Sequence, residues 1–217
     1  MNLNIIDMRL GGTPPGDTSF SVVMTVDQNT PIHDLITRVR VHCLAYDSKL
    51  EILRIQAHGN HSYLQLCKEG LGSWTAITEF GRLKGFFHYG GLIALYGCRV
   101  VWDGTSMMMS DLARACRAYV LGSANQEMYS EKPTIDWGSW EGHLYLCTPA
   151  GKWYCLGGKS RRRRLTYREF VMGRADNYGS YSDLLDIPRI LRWRLWSAMF
   201  PEGRSREWMA GVDSWQF

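Results

Sequence analysis

The sequence contains the run Leu53-Arg-Ile-Gln-Ala-His58-Gly59-Asn60, an apolar stretch of strand length that stops at a histidine followed by glycine. A second run, Leu92-Ile-Ala-Leu-Tyr-Gly97-Cys98, stops at a cysteine preceded by glycine. The residues between them have helical character, which predicts two neighbouring parallel strands joined by a helix. Sites in open α/β sheets lie outside the carboxyl ends of the strands, so we expect His58 and Cys98 at one edge. A cysteine with a histidine brought near it by the fold is the arrangement of a thiol nucleophile.

The composition fits one α/β domain with an appendage, or two small domains. The chain has 217 residues, of which 45% are hydrophobic and 12% aromatic, and this is enough for a buried core. Its net charge of +4 is mild, and the arginine run 161–164 supplies much of it. A charge so localised argues against a nucleic-acid-binding surface spread over the protein.

The cysteines and the N-terminal residues predict the cellular compartment of the protein. No apolar segment approaches the roughly 20 residues that span a bilayer, and the N-terminus lacks the features of a secretory signal. The six cysteines have no CxxC spacing, so we expect reduced thiols in a cytoplasmic protein, with export by a specialised route as the alternative. His58, His61 and Cys67 lack the second ligand pair of a zinc site, and the sequence predicts no metal and no cofactor. Cys147 and Cys155 are predicted to face each other across a hairpin, as buried thiols or, in an oxidising setting, as a disulfide.

Strands and helices alternate along most of the chain, which predicts right-handed crossovers and a mostly parallel sheet. We expect strands at residues 3–8, 20–26, 49–57, 91–101 and 118–123. Thr30 is predicted to cap a helix at 31–46 that has Pro31 at its first position. Ser73 is predicted to cap a second helix whose buried face runs from Trp74 to Phe87, and a third helix is predicted at 105–117. Segments 141–147 and 152–156 alternate around a Pro–Gly turn, which predicts an antiparallel hairpin.

The sequence divides into residues 1–158, an α/β domain, and residues 159–217, a basic linker with a tryptophan-rich helical tail. The arginine run 161–164 is typical of a solvated linker, and it would also suit an acidic partner, a phosphate backbone or a membrane surface. The tail helix, which carries Trp193 and Trp196, is predicted to pack on the domain. The alternatives are an interfacial helix at a membrane and a regulatory element that covers the site or binds a regulatory partner.

A family resemblance rests on the segments Ala57-His-Gly-Asn60, Tyr63-Leu-Gln-Leu66, Ile93-Ala-Leu-Tyr-Gly-Cys98-Arg-Val100 and Ile135-Asp136-Trp137. Together with the hairpin behind them, they resemble the caspase-like (clan CD) cysteine peptidases, and most of all the bacterial branch found as a domain of unknown function in large surface proteins. The resemblance covers residues 4–151 and nothing after residue 158. It implies a caspase-like three-layer sandwich, with a mostly parallel sheet between helices, a hairpin at one end and a helical tail.

The resemblance implies a cysteine endopeptidase that hydrolyses peptide bonds in a protein or peptide substrate with a His–Cys dyad. Cys98 would be the nucleophile that attacks the peptide carbonyl, and His58 the general acid–base that protonates the leaving amine. The backbone N–H groups of Gly59 and Cys98 would form the oxyanion hole, each worth about 3 kcal/mol in transition-state stabilisation.

The substrate pocket implied by the same family includes the end of the first strand. Asp7 there would favour a basic residue before the cleaved bond, whereas Arg9 would favour an acidic one. The two are expected on opposite faces if the strand continues, so that only one points inward. Asp136 adds weight to a preference for arginine or lysine, in which case the arginine run 161–164 would be a self-processing site.

The same residues have other interpretations. His58 alone is most often an ordinary loop histidine, and Cys98 alone is most often a packed strand cysteine. The alternative function is therefore a catalytically inactive caspase-like domain that acts as an interaction or delivery module. A binder of nucleic acid or of a membrane surface, built on the arginine run and the tail, is a third hypothesis, which the mild net charge disfavours.

Overall fold

The computed structural model of the chain describes residues 1–11, 22–102, 104–124, 142–159 and 191. Within these residues the strands are β1 (Asn2–Asp7), β2 (Val22–Val26), β3 (Leu50–Gln56), β4 (Gly59–Asn60), β5 (Tyr63–Leu64), β6 (Phe87–Tyr96), β7 (Tyr119–Ser123), β8 (Gly142–Cys147) and β9 (Trp153–Lys159). The helices are α1 (Ile32–Ala45), α2 (Trp74–Gly81) and α3 (Met107–Cys116), and Met8–Leu10 form one 3-10 turn.

Seven of the strands form one mixed sheet in the order β2-β1-β3-β6-β7-β8-β9. The strands from β2 to β7 in this order pair in parallel, whereas β8 pairs antiparallel with both β7 and β9. The short strands β4 and β5 form a separate hairpin. The predicted α/β class, with a mostly parallel sheet and an antiparallel hairpin at its end, is therefore confirmed.

The three described helices pack on one face of the sheet. The crossovers through α1, α2 and α3 all move along the sheet in the same direction, and right-handed crossovers that move one way place their helices on one face. Helix α1 contacts α2, and α2 contacts α3. The helices share one buried core with this face, to which the strands contribute Leu3, Ile5, Leu53, Ile55, Ile93, Leu95 and Val120.

The other face of the sheet is also buried. Seven of its apolar side chains are at most 3% exposed, namely Ile6, Ile52, Leu92, Ala94, Leu121, Leu144 and Leu146, whereas Val23 on the edge strand β2 is 46% exposed. Arg54 lies in the centre of this face, where its Nε donates to Asn4 Oδ1 at 3.0 Å and its guanidinium lies 5.4 Å from the centroid of the Tyr96 ring. The predicted second helical layer and tail helix lie outside the described residues, except for Leu191, which is helical and fully buried.

Helix α1 has the buried stripe that its periodicity predicts, consisting of Ile32, Leu35, Ile36, Val39 and Cys43. The predicted Thr30 cap is wrong. The Thr30 hydroxyl donates to Asp27 Oδ1 at 2.8 Å, and Pro31 is the N-cap residue without a side-chain hydrogen bond. The N–H of Ile32 instead donates to Glu69 Oε2 at 2.9 Å. A carboxylate from a distant loop therefore replaces the local hydroxyl that caps most helices of this kind.

Helix α2 begins as predicted, because Ser73 Oγ accepts a hydrogen bond from the N–H of Ala76 at 3.2 Å. Its predicted buried face is partly wrong. Trp74 is 79% exposed, since it is the first helical residue and the stripe that meets the core starts at Ala76. The helix ends at Gly81 and the chain turns, so Phe87 is the first residue of β6 and not part of a helix face.

The β8–β9 hairpin has a register that separates its two cysteines. Thr148 pairs with Lys152 through a backbone hydrogen bond of 2.9 Å, and this pairing sets the register of the strands behind the turn. Cys147 consequently lies opposite Trp153, two residues before Cys155. The prediction that Cys147 and Cys155 face each other is therefore wrong.

Candidate functional site

The carboxyl ends of β3 and β6 bring the predicted nucleophile and base to one place. The two strands are neighbours and parallel, with Gln56 opposite Tyr96. The N–H of Ala57 donates to the Tyr96 carbonyl at 3.1 Å, which carries the pairing one residue beyond the strand. His58 follows the end of β3 by two residues and Cys98 follows the end of β6 by two residues, so both lie just beyond the same edge of the sheet. The prediction that the two runs are neighbouring parallel strands is confirmed.

Two glycines let the chain segments touch just beyond the strands. A Cβ on Gly59 would lie 2.5 Å from the carbonyl oxygen and 2.7 Å from the backbone nitrogen of Cys98. A Cβ on Gly97 would lie 2.9 Å from the Ala57 carbonyl oxygen and would collide with Leu64. Because the obstacles at Gly59 are backbone atoms, only glycine fits there without a shift of the chain. The backbone of Gly59 therefore lies directly against Cys98.

The imidazole of His58 is exposed and oriented by a backbone carbonyl. Its Nε2 lies 3.1 Å from the carbonyl oxygen of Arg9, at the end of β1. In the tautomer that donates this hydrogen bond, Nδ1 carries a lone pair and is able to accept a proton. The 3-10 turn after β1 thus leaves Nδ1 as the ring nitrogen of His58 that could accept a proton.

The N–H of Gly59 is not used by the β4–β5 hairpin. Gln65 donates its N–H to the carbonyl of His58 at 2.7 Å, so this carbonyl faces β5. Across a trans peptide bond the N–H of the next residue points the opposite way, and that residue is Gly59. The site therefore holds a backbone donor directed away from the hairpin, on a residue that touches Cys98.

Asp7 and Arg9 form an ion pair behind His58. The Asp7 carboxylate is fully buried and accepts hydrogen bonds from Arg9 Nε at 2.8 Å, from Arg9 Nη2 at 2.6 Å and from the N–H of Cys67 at 3.0 Å. Arg9 Nη2 also donates to the carbonyls of Gln65 and Cys67. The Asp7 carboxylate raises the pKa of the Arg9 guanidinium. The pair joins the end of β1 to the segment after β5.

This geometry changes the expected role of the pair. The prediction that Asp7 and Arg9 lie on opposite faces is wrong, because residues two apart share one face of a strand, and here the 3-10 turn after Asp7 also brings the two side chains together. The Asp7 carboxylate has no exposed surface to offer a substrate. We therefore assign Asp7 and Arg9 to positioning the Arg9 carbonyl. Asp136, the other predicted pocket residue, lies outside the described residues.

Cys98 differs from the other cysteines whose side chains are described. It is half-buried, whereas Cys43, Cys67, Cys116 and Cys147 are buried. Burial raises the pKa of all four buried thiols, and it brings those of Cys67 and Cys116 to about 12. Such thiols are protonated and unreactive at neutral pH. Among these five residues, Cys98 is the thiol that reagents reach.

The raised thiol pKa values predict alkaline unfolding. The Cys116 thiol donates to the Phe80 carbonyl at 3.2 Å and stays protonated in the folded state up to about pH 12. In the unfolded chain the thiol ionises near its ordinary pKa, so its contribution is complete below about pH 8.5 and declines as the pH rises toward 12. We expect the melting temperature of Cys116→Ala to fall less steeply between pH 8 and 11 than that of the wild type. Parallel pH profiles would contradict this assignment.

Backbone strain concentrates in the two loops that carry the site. Among the described residues other than glycine, six have positive φ, and four of these are His61, Ser62, Cys67 and Arg99. Such conformations cost about 1–3 kcal/mol each and cluster at functional sites. The same loops contain a ring contact that the sequence did not predict, between His61 and Trp102. The sequence offered one signal for this contact, the position of Trp102 four residues after the candidate nucleophile Cys98.

Two further properties hold for the described part of the chain. No group of three or more His, Cys, Asp or Glu side chains there is arranged to hold a metal ion. None of its helices is long and apolar enough to cross a membrane.

Comparison with known proteins gives no relative. No protein-family model matches the chain, and neither a curated protein nor a solved structure matches it.

Proposed function

We propose that the chain is a cysteine peptidase of the caspase-like type, with Cys98 as nucleophile and His58 as general acid–base. The observation that carries the proposal is the parallel pairing of β3 with β6, which ends both strands at one edge of the sheet. There the backbone of Gly59 lies against Cys98, and the imidazole of His58 lies within hydrogen-bond distance of the Arg9 carbonyl. A nucleophile, a base and a group that orients the base are the three parts of an activated thiol.

The proposed reaction begins with proton transfer from the Cys98 thiol to His58 Nδ1. The thiolate sulfur then attacks the carbonyl carbon of the substrate, and the carbonyl oxygen becomes an oxyanion. The N–H groups of Gly59 and Cys98 stabilise that charge. The imidazolium gives its proton to the amine as the C–N bond breaks, leaving an acyl-enzyme. Water, deprotonated by His58, then hydrolyses the thioester and restores the thiol.

The structure weakens the predicted preference for a basic residue in the substrate. Asp7 is one of the two carboxylates expected to attract arginine or lysine, and its oxygens are occupied by Arg9 and by the N–H of Cys67. The substrate class has to be argued from the exposed groups that surround the dyad.

The first test is the selectivity of alkylation. We expect substoichiometric iodoacetamide at pH 7 to label Cys98 ahead of the other cysteines, and the rate to fall about tenfold or more in His58→Ala, because the base that generates the thiolate is gone. Peptide mapping by mass spectrometry gives the labelled position. Unlabelled enzyme is then offered a peptide library, which the wild type should cut and Cys98→Ala should leave uncut.

His88→Ala is the matched control, since His88 is an exposed histidine at the opposite end of β6. In His88→Ala, iodoacetamide should label Cys98 at the wild-type rate. Slow, unselective labelling that does not depend on His58 would refute the dyad and favour the inactive interaction module.

A further inference from the structure

The loops around the dyad carry an exposed pair of rings. The imidazole of His61 and the indole of Trp102 have centroids 4.3 Å apart and planes tilted by 50°. His61 is exposed, and Trp102 is 54% exposed. Large aromatic surface left in contact with water is typical of binding sites, because burying it elsewhere would stabilise the fold.

The ring pair spans the two segments that carry the dyad. His61 lies at the tip of the β4–β5 hairpin, three residues after His58, and Trp102 lies four residues after Cys98. Backbone hydrogen bonds of 2.9 and 3.0 Å join Trp102 and Thr105 in both directions. This tight turn fixes the backbone from which the indole projects, so the ring is held in place before any substrate arrives.

The backbone at the hairpin tip is held in an uncommon conformation. His61 has φ +25° and Ser62 has φ +64°, which residues with a side chain adopt rarely. The two-residue loop of the β4–β5 hairpin accounts for this geometry, because type I′ turns have positive φ at both central residues. The turn brings His61 to the hairpin tip, where its imidazole meets the indole.

The charged groups near the dyad indicate what the rings would bind. The carboxylates of Asp7 and Glu69 are occupied, one by Arg9 and the other by the N–H of Ile32. Arg99, directly after Cys98, is exposed. An aromatic face attracts both apolar rings and cations, but the positive charge of Arg99, one residue after Cys98 in the chain, disfavours a basic side chain close to the cleaved bond. Among the described residues, these charges therefore favour an aromatic side chain over arginine or lysine.

We propose that the His61–Trp102 ring pair is a wall of the substrate site and binds an aromatic side chain of the peptide close to the cleaved bond. The inference rests on the proposed function, because it makes the pair a specificity determinant of the same site. It gives the enzyme an aromatic preference in place of the basic one.

The test compares two electrophiles that react with Cys98 by the same displacement, in which the C–S bond forms and chloride leaves. One is chloroacetamide, and the other is N-benzylchloroacetamide, which carries an aromatic ring. With rates normalised to glutathione, we expect the benzyl reagent to label Cys98 roughly tenfold faster than the plain one. In Trp102→Ala the ratio of the benzyl rate to the plain rate should fall close to one.

The controls distinguish a failure of the ring-pair inference from a failure of the proposed function. Trp74→Ala removes another exposed tryptophan, at the start of α2, and should keep the wild-type ratio. His61→Ala should lower the ratio, and it serves as the second variant if Trp102→Ala melts early. If chloroacetamide labels Cys98 equally fast in His58→Ala and in the wild type, the proposed dyad is wrong. A rate that depends on His58, together with a benzyl ratio unchanged in Trp102→Ala, would overturn the ring-pair inference alone.

Discussion

Asp7→Ala is expected to lower the free energy of unfolding by about 3–5 kcal/mol, because it removes one partner of a buried ion pair and leaves the other without compensation. The Asp7 carboxylate is fully buried and accepts from the guanidinium of Arg9 and from the N–H of Cys67. Without it, the Arg9 guanidinium, only 20% exposed, loses its countercharge. Urea unfolding, followed by circular dichroism, measures the change.

The same substitution should slow alkylation of Cys98. Arg9 supplies the carbonyl that holds His58 Nε2, and the ion pair with Asp7 holds Arg9 in the turn after β1. Asp111→Ala is the matched control, since its ion pair with Arg114 is 3.4 Å long and largely exposed. Exposed pairs contribute about 1 kcal/mol or less, so this variant should stay near wild-type stability. Equal losses in the two variants would contradict the structural role of Asp7.

Gly59→Ala is expected to damage both stability and catalysis. The new Cβ would lie 2.5 Å from the carbonyl oxygen of Cys98 and 2.7 Å from its nitrogen, and neither backbone atom is able to rotate away. Overpacking of this kind costs about 1–3 kcal/mol. Separating the two segments would also displace the Gly59 N–H from the developing oxyanion, which we expect to slow peptide hydrolysis about 100-fold. Thermal melts and turnover of the best library peptide measure the two effects.

Gly81→Ala provides the comparison for this substitution. Gly81 is the last residue of α2, and a Cβ there would lie 3.6 Å from the Ala115 side chain, an ordinary contact. Alanine has a better helix propensity than glycine, so this variant should be as stable as the wild type or slightly more stable. A Gly59→Ala protein with wild-type melting and turnover would show that the two segments are further apart than the structure has them.

Local sequence signals predicted the elements of the fold well. The periodicity of α1, the serine cap of α2 and the two apolar runs of β3 and β6 each act over a few residues, so their effect is visible in the chain itself. The errors came where a distant group intervened. Glu69 caps α1 in place of Thr30, and the Thr148–Lys152 pairing moves Cys147 away from Cys155.

The residues of the candidate site likewise divide into those that the sequence predicted and those that it did not. His58, Gly59 and Cys98 could be found from the sequence because each follows an apolar run of strand length, and parallel neighbours end at one edge. Arg9 as the group that orients His58 could not be found, since its role belongs to a main-chain carbonyl and any residue type carries one. The ring pair was missed because nothing in the sequence relates His61 to Trp102.

The sequence by itself determined the class of the fold and singled out the candidate pair His58 and Cys98, through hydrophobic periodicity and the placement of glycine. Only the tertiary structure decided that Asp7 and Arg9 neutralise each other and that the rings of His61 and Trp102 meet. Both outcomes depend on turns after the strands. The physical reason is that a turn redirects side chains within two or three residues, whereas the alternation that predicts their direction holds only inside a strand.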